Sequence, residues 1–292
     1  MAKKYLFRIW RFDPENDDFP YFQDYVYEEN KPRVILEALM DIRNEQDSTL
    51  AFRYSCREAV CGSCGMVING EFELACRTRL DSLGSETIII EPLPNLPIQK
   101  DLVVDMEPFW KALEAIQPYV MSEGQNKPTE GISYAALGEP STLTDEVFRG
   151  SPAGEKKETG KLEIEEKSIA AAETVIASGY RIEEREMEKI EPFTNCILCG
   201  CCYSACPVVS RDENYLGPIA LAKLYRFICD PRDQRPFTAW ERFGSSSGVW
   251  GCDTVFRCNE VCPREVGPAY GILALRRRYF WEKIKHIFRK EK

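Results

Sequence analysis

The first hundred residues carry two hydrophobic periods, one typical of strands and one typical of a helix. Bulky and polar side chains alternate over residues 5–12, which predicts a strand, and the apolar run 87–90 predicts another. Apolar side chains instead recur at helical spacing at Ile35, Ala38, Leu39 and Ile42. Together these patterns predict a small mixed sheet with one helix.

A tight hairpin is predicted where Asn69-Gly70 separates the short runs 66–68 and 71–74, because both residues of this dipeptide adopt positive φ easily. The end of the sheet unit is indicated by three prolines, Pro92, Pro94 and Pro97. A helix is predicted to follow over residues 101–119.

The rest of the chain divides into a polar stretch and a cysteine-rich, mainly helical part. Residues 122–160 are rich in Gly, Pro, Ser, Thr and Glu, which is typical of a surface excursion without fixed order. Residues 161–178 return to a helical pattern, and the clearest later helices are 218–229 and 270–288. The predicted units are a domain over 1–105, connecting helices with the flexible insertion over 106–190, and a helical domain over 191–292.

Composition narrows the class of protein. A chain of 292 residues with 44% hydrophobic residues is long enough for about two domains with cores, and its net charge of −9 argues against a nucleic-acid partner. The start of the chain lacks the apolar core of a signal peptide, so the thirteen cysteines are expected to stay reduced and bind metal in the cytoplasm. No window reaches the roughly 18 apolar residues of a membrane span.

The first group of cysteines has the C-x4-C-x2-C spacing with a fourth cysteine further on, which is the plant-type arrangement for a 2Fe-2S cluster. Gly62 and Gly65 suit the loop, since the absence of a Cβ lets backbone N–H groups approach the sulfurs. A Rieske centre needs two histidines, and the chain has one. A zinc knot is the alternative, although zinc sites favour paired C-x2-C units. The candidate ligands are Cys56, Cys61, Cys64 and Cys76.

Two later cysteine runs, each ending in Cys-Pro, form a weak internal repeat. In the spacing C-x2-C-x2-C-x3-C-P, three cysteines bind one cluster while the fourth reaches the other, so the two runs exchange a ligand. This predicts a 4Fe-4S cluster on Cys196, Cys199, Cys202 and Cys262. It leaves Cys206, Cys252 and Cys258 for a second cluster. Because Val255 occupies the position of its fourth ligand, that cluster is predicted to be 3Fe-4S.

Cys201 and Cys229 remain outside these three sets, and both are interpreted as small buried hydrophobic residues. His286 is interpreted as an interfacial or solvated residue rather than a ligand. All eleven candidate ligands are therefore cysteines, and the predicted activity is electron transfer.

Three segments resemble the iron–sulfur subunit of succinate dehydrogenase and fumarate reductase, the succinate:quinone oxidoreductases. They are SCREAVCGSCGMVINGEFELACRT, NCILCGCCYSACP and GCDTVFRCNEVCP. The resemblance covers almost the whole chain outside residues 122–160. It implies an α+β architecture, with a β-grasp plant-type ferredoxin domain followed by an all-α bacterial ferredoxin-like domain, and the cluster order 2Fe-2S, 4Fe-4S, 3Fe-4S.

The resemblance also implies partners and a reaction. A flavoprotein subunit would interconvert succinate and fumarate at FAD, and this subunit would relay electrons one at a time to a membrane quinone. The substrate site would therefore lie on the partner, and no catalytic acid or base is expected here. This is the reaction of complex II of the respiratory chain and of the tricarboxylic acid cycle, and fumarate reductase is the same machinery run in the opposite direction.

The chain departs from the mitochondrial-like members of this family at two positions. Those members carry a Trp and a His beside the quinone, where this chain has Arg211 and Asp253. It therefore resembles more closely the menaquinone-linked bacterial enzymes, whose cytochrome b anchor carries two haems. A quinone pocket formed partly by this subunit is not implied, and either menaquinone or ubiquinone would be reached through the anchor.

The carboxyl-terminal stretch, residues 275–292, carries eight basic and two acidic residues, a net charge of +6, interleaved with aromatic side chains. Such a stretch suits docking on an anchor subunit or on anionic headgroups, and its alternative is an ordinary solvated helix end. We expect a peripheral location on the cytoplasmic face of the inner or plasma membrane.

Three other functions fit parts of the pattern less well. A stand-alone soluble ferredoxin would not need the basic, aromatic terminus, and co-purification with a large flavoprotein distinguishes it. A thiol-linked fumarate reductase or heterodisulfide reductase subunit usually carries CCG-rich domains, which this chain lacks. A zinc-binding interaction module would give a colourless preparation.

Overall fold

The structure, a computed structural model, describes residues 3–29, 31–121 and 182–290. Its amino-terminal part is a five-stranded mixed sheet. The strands are β1 (Lys3–Arg11), β2 (Tyr21–Glu29), β3 (Gly65–Ile68), β4 (Glu71–Leu74) and β5 (Thr87–Glu91). Their order in the sheet is β2-β1-β5-β3-β4. Strand β1 is antiparallel to β2 and parallel to β5, while β3 pairs antiparallel with both β4 and β5.

The core of this part lies between the sheet and helix α1 (Ile35–Glu45). Tyr5, Phe7 and Ile9 alternate along β1 and are almost fully buried against apolar residues of α1. At the hairpin, Asn69 and Gly70 have φ of 50° and 83°, as the turn requires. The predicted strands, helix and hairpin are confirmed here.

Strand β2 was not predicted from the pattern. Of its nine residues only Tyr25 and Tyr27 are buried, while Phe22 and Val26 on the other face are exposed. As the edge strand of the sheet, β2 contacts the core on one face and solvent on the other, with bulky residues on both. Alternation of polarity, which is the usual signal of a strand, is therefore absent.

The prolines at 92, 94 and 97 do not end the sheet unit, because the chain returns to it afterwards. A short two-stranded sheet, β6 (Ile98–Lys100) and β7 (Val103–Val104), follows, so the predicted helix over 101–119 is wrong at both ends. The helix present is α2 (Glu107–Ala115). Between the two short strands, Leu102 packs into the amino-terminal core.

A buried ion pair explains why the chain returns. Arg11, at the end of β1, is 5% exposed, and its Nε donates to Asp101 Oδ1 at 2.9 Å. Asp101 also accepts hydrogen bonds from the backbone N–H groups of Phe12 and Ala51. Asp47 contacts the other end of the guanidinium at 2.6 Å. Because both carboxylates are partnered by one buried cation, Asp101 belongs to the amino-terminal unit.

The described residues after 182 form helices and irregular loops. The helices are α3 (Glu184–Thr194), α4 (Cys201–Ser204), α5 (Pro207–Arg211), α6 (Gly217–Cys229), α7 (Phe237–Trp240), α8 (Arg257–Glu260) and α9 (Pro268–Lys290). The longest two, α6 and α9, pack against each other. They confirm the predicted helices 218–229 and 270–288 with slightly wider bounds. Short 3-10 helices occur at Leu80–Leu83, Glu241–Phe243 and Val249–Gly251.

The predicted excursion over 122–160 and the predicted helix over 161–178 lie outside the described residues. Among the helices that the structure describes, none has both the length and the apolar run needed to cross a bilayer.

Candidate metal centres

The four cysteines of the first group meet where the loop that follows α1 approaches the end of β4. Four backbone N–H groups of this loop point at two of the sulfurs, at 3.2–3.4 Å. Positive φ at Arg57 and Ala59 turns the chain so that successive amides face inward. The donors are Glu58, Val60 and Cys61 toward Cys56 Sγ, and Ala59 toward Cys76 Sγ.

The surroundings of two thiols in this loop shift their pKa values in opposite directions. Burial opposes ionisation of Cys61, but hydrogen bonds from Ser63 and Cys56 outweigh it and lower the pKa to about 6. Burial raises the pKa of Cys64 to about 12. A thiolate is the form that binds iron, so Cys64 needs a neighbouring cation to lose its proton, whereas Cys61 is ready to lose it.

Gly62 and Gly65 have a further role that the spacing did not predict. The N–H groups that point at Cys56 and Cys76 come from residues 58–61 of the loop. A Cβ on Gly62 would lie 2.8 Å from Cys199 Cα and Cβ, and one on Gly65 would lie 3.2 Å from the Cys199 carbonyl oxygen. The glycines therefore allow the first cysteine loop to contact the second.

The second site is a pocket lined by both later cysteine runs. Backbone N–H groups of Leu198 and Val266 point at Cys196 Sγ and Cys262 Sγ at 3.4 and 3.3 Å. Burial raises the pKa of Cys196 to about 11, so this thiol too needs a cation to ionise. The cysteines of the pocket are Cys196, Cys199, Cys202 and Cys262.

The third site is a separate pocket. It is lined by Cys206, Cys252 and Cys258, together with Val255. The pocket walls therefore contain the three cysteines grouped by spacing, with the valine beside them.

Arg276 of α9 holds the loop that carries Cys252. Its guanidinium donates to the backbone carbonyls of Val249, at 2.6 Å, and of Cys252, and to Thr254 Oγ1 at 3.2 Å. Positive φ at Thr254 and Phe256, on either side of Val255, gives this loop its tight path.

Three buried polar side-chain atoms of the described residues have no hydrogen-bond partner; one belongs to a residue that lines the third pocket, and two belong to residues close to candidate ligands in the sequence. Tyr215 lines the third site, Ser204 lies between two candidate ligands, and Asn259 follows Cys258. The unpartnered atoms are Ser204 Oγ, Tyr215 Oη and Asn259 Nδ2. Each carries a proton to donate. An iron–sulfur cluster brings acceptor sulfurs into such a cavity, so the residues present fit this group.

A hydrogen bond and an ion pair near the sites connect the amino-terminal and carboxyl-terminal halves of the chain. Arg77, one residue after Cys76, donates to the carbonyl of Pro263, one residue after Cys262, at 2.8 Å. Arg257, before Cys258, pairs with Glu71 of β4 at 3.0 Å. These contacts fix the first cysteine loop against the later two.

The cysteines and the histidine interpreted as bystanders lie outside the pockets. Cys201 is fully buried between the first and second loops, with its sulfur 3.4 Å from the place of a Cβ on Gly65. Cys229 accepts a hydrogen bond from Arg278. The ring of His286 packs near Phe237, with centroids 5.9 Å apart. None of the thirteen cysteines, all of which the structure describes, forms a disulfide.

Arg211 and Asp253, the two positions that depart from the mitochondrial-like pattern, form an ion pair at the rim of the third site. Both side chains are about half exposed. Asp253 lines the pocket directly, so the pair places fixed, opposite charges at its mouth.

Sequence reasoning did not identify Tyr215 or Arg276 as parts of a site. Tyr215 lies in the turn before α6, and Arg276 looks like one of several basic residues of α9. Neither has a cysteine within two positions, so spacing gave no signal for them.

Two family models match the chain. The model described as a 2Fe-2S iron-sulfur cluster binding domain matches residues 6–111, and the one described as a 4Fe-4S dicluster domain matches residues 192–266. The two matches correspond to the amino-terminal sheet unit and to the helical part that carries the second and third sites.

Curated relatives match nearly end to end. The chain is 33% identical to the fumarate reductase iron-sulfur subunit of Haemophilus influenzae, over 90% of this chain and 88% of that one. It is 32% identical to the mitochondrial succinate dehydrogenase [ubiquinone] iron-sulfur subunit of Candida glabrata, over 93% and 90%. A chain of the Mycobacterium smegmatis Sdh1 complex in the apo form shares the fold, with a TM-score of 0.67, 22% identity and 96% of both chains covered.

Proposed function

Since the chain belongs to the family of iron–sulfur subunits of fumarate reductase and succinate dehydrogenase, we propose that its eleven cysteines hold three clusters in series. The assignment is 2Fe-2S on Cys56, Cys61, Cys64 and Cys76; 4Fe-4S on Cys196, Cys199, Cys202 and Cys262; and 3Fe-4S on Cys206, Cys252 and Cys258. The observation that carries it is the exchange of ligands between runs: Cys262 lines the second pocket, and Cys206 lines the third.

The protein is an electron-transfer subunit of an oxidoreductase complex. When bound, its clusters supply one-electron carriers, and the chain determines their spacing and surroundings. Amide N–H groups directed at Cys56 and Cys76 stabilise added negative charge on the first site. Apolar walls, such as Phe109 and Ile219 at the second site, exclude water.

The relatives are subunits of a complex, and we propose that the partner is a flavoprotein that interconverts succinate and fumarate at FAD. Electrons would enter at the first site and leave from the third toward a membrane anchor, with cytochrome b haem and menaquinone or ubiquinone as acceptors. The Arg211–Asp253 ion pair in place of Trp and His supports the menaquinone-linked type. Co-purification with a large flavoprotein tests the assembly, and isolation as a single chain would favour a soluble ferredoxin.

The finer fold is proposed as a β-grasp ferredoxin domain followed by an all-α bacterial ferredoxin-like domain. A mixed sheet with one packed helix supports the first, and the helices among the described residues after 182 support the second.

The cluster inventory is tested by EPR and iron analysis. An air-oxidised sample is expected to show the signal of an oxidised 3Fe-4S cluster, which is paramagnetic, and roughly nine iron atoms per chain. A sample without that signal and with roughly ten irons per chain would contradict the assignment of the third site, because it would hold a 4Fe-4S cluster there.

Val255→Cys is predicted to convert the third site to a 4Fe-4S cluster. Val255 lines the pocket between Cys252 and Cys258, so a thiol there offers the missing fourth ligand. The oxidised EPR signal is expected to disappear, iron to rise by about one per chain, and the midpoint potential to fall. Val255→Ala is the control, since it shortens the side chain without adding a ligand and should keep the 3Fe-4S signal. An unchanged signal in the cysteine variant, with full iron at the other sites, would show that Val255 is not at the ligand position.

The carboxyl-terminal half of α9 is proposed to dock on the membrane anchor or on headgroups, on the cytoplasmic face. Phe280 and Trp281 are 55% and 60% exposed on this basic helix. Tyr279, by contrast, is 5% exposed and packs against Trp240, so it belongs to the core.

Phe280→Ser with Trp281→Ser is therefore predicted to separate two activities of the complex. Clusters and succinate oxidation with a soluble dye should be retained, because no core contact is lost. Quinone reduction should fall about tenfold or more, since burying two aromatic side chains stabilises docking by about 1.5–3 kcal/mol each. Phe19→Ser, at a residue 80% exposed on the amino-terminal half, is the control and should change neither activity. If the double variant still reduces quinone at the full rate at high salt, the docking proposal is wrong. The end of α9 is then an ordinary solvated helix end.

A further inference from the structure

Tyr215 is the buried side chain of the third site whose hydroxyl forms no well-aligned hydrogen bond within the protein, although it lies beside the sulfur of Cys252. The residue is 2% exposed, and its Oη is among the unpartnered buried polar atoms. Leaving a buried hydroxyl without a partner is unfavourable, and native proteins seldom do so. A partner is therefore expected in the space that the hydroxyl borders.

The space bordered by the ring is the pocket of the third site. Tyr215 lines it together with Cys206, Cys252 and Cys258. The other polar residues of the lining are each paired elsewhere: Asp253 with Arg211, Thr254 with Arg276, and Arg257 with Glu71. The phenol keeps its proton at neutral pH, so it can donate. Sulfur atoms of a bound cluster are acceptors, and they become better acceptors when the cluster is reduced and more negative.

The position of the ring is fixed from several sides. The backbone N–H of Tyr215 donates to Asp212 O at 3.1 Å, and that of Leu216 donates to Ser247 O at 3.1 Å. A Cβ on Gly251 would lie 3.0 Å from the Tyr215 ring, so this glycine lets the loop before Cys252 pack directly on it. The hydroxyl is thus held in place before any cluster is present.

We propose that Tyr215 donates an O–H···S hydrogen bond to the cluster of the third site and thereby raises its reduction potential. The proposal deepens the cluster assignment and rests on it. Hydrogen bonds to cluster and ligand sulfurs stabilise the reduced state and are among the protein's means of setting a potential. Tyr215 would thus make the last carrier of the chain a better electron acceptor.

Tyr215→Phe tests this inference, because it removes the hydroxyl that borders the third site and leaves the ring packing intact. One net hydrogen bond changes an equilibrium constant by about two- to tenfold. We expect the electron affinity of the 3Fe-4S cluster to fall by that factor, and a tenfold change equals about 59 mV for one electron. The measurement is an EPR-monitored redox titration of the assembled complex, with the potentials of the other two clusters recorded in the same samples.

The matched control is Tyr225→Phe in α6, at a tyrosine whose ring packs on Phe193, away from the third site. It is expected to leave all three potentials unchanged. If Tyr215→Phe assembles poorly, Tyr215→Leu also removes the donor and should shift the potential in the same direction.

The outcomes distinguish this inference from the assignment beneath it. A 3Fe-4S signal of normal intensity in Tyr215→Phe with an unshifted potential would overturn the hydrogen bond alone. An equal shift in the reduction potential of the 4Fe-4S cluster, or an equal shift in Tyr225→Phe, would also overturn the hydrogen bond. Either result would show that the substitution disturbs the packing of the protein in general. Absence of any 3Fe-4S signal in the unaltered protein would overturn the cluster assignment and the inference together.

Discussion

Cys199→Ser is expected to abolish the cluster of the second site and with it electron transfer through the chain. Cys199 lines that pocket, and its backbone and Cβ also contact the place of Gly62 in the first loop. Losing this thiolate removes an iron ligand from a site that also holds the fold together. We expect iron to fall by about four per chain, and quinone reduction by the complex to be lost.

Cys201→Ala is the matched control for this loss. Cys201 is two residues away, is more deeply buried and lines neither cluster pocket. Its thiol also hydrogen-bonds to Cys199, so removing the sulfur should cost that bond and some packing, about 1 kcal/mol of unfolding free energy each, with full iron content. Cys229→Ala should behave in the same way. Iron analysis and EPR of the reduced proteins check both, and loss of cluster iron from either control would show that the ligand set is wrong.

Gly62→Ala is expected to be the most damaging substitution that touches no ligand. Its φ of +74° already costs an L-residue about 1–2 kcal/mol. The added Cβ would also lie 2.8 Å from Cys199 Cα and 2.9 Å from the Ile197 carbonyl oxygen, both parts of the backbone of the second loop. Forcing the loops apart typically costs a further 1–3 kcal/mol. We expect a lower Tm and slower reduction of the second cluster by the first, measured by freeze-quench EPR.

The control for the conformational term is Gly70→Ala. Gly70 has a similar φ, +83°, but nothing lies within 4 Å of the place that a Cβ on this residue would take. Gly70→Ala should therefore lose only the stability that the positive φ costs, and its electron transfer should be unchanged. Equal behaviour of the two variants would mean that the close approach of the two loops is not needed.

The cysteine spacing was the strongest predictor of the sites. A cluster takes several ligands from one short loop, and only a few spacings along the sequence allow one loop to supply them. Each later pocket is lined by the set that spacing predicted, including the exchange of Cys206 and Cys262. Strand β1 and helix α1 were predicted because each presents one apolar face to the core.

Most of the features that the sequence did not predict depend on contacts between distant parts of the chain. Gly62 looked like a source of loop amides, but the neighbour that excludes its Cβ is Cys199 of the other half. Tyr215 and Arg276 reach the third site from segments whose own patterns show only apolar and basic faces. Edge strand β2 carries bulky residues on both faces, so its period was hidden.

The Arg11–Asp101 ion pair sets a limit on how the two halves of this chain can be exchanged with those of other proteins. A recombination point at Pro97 looks safe from the sequence, but it would separate a buried arginine from its carboxylate partner. Breaking a buried ion pair by removing one member costs about 3–5 kcal/mol, which is a large fraction of the stability of a domain. A transferable amino-terminal module must therefore extend through Val104, and chimaeras joined upstream of Asp101 are expected to misfold.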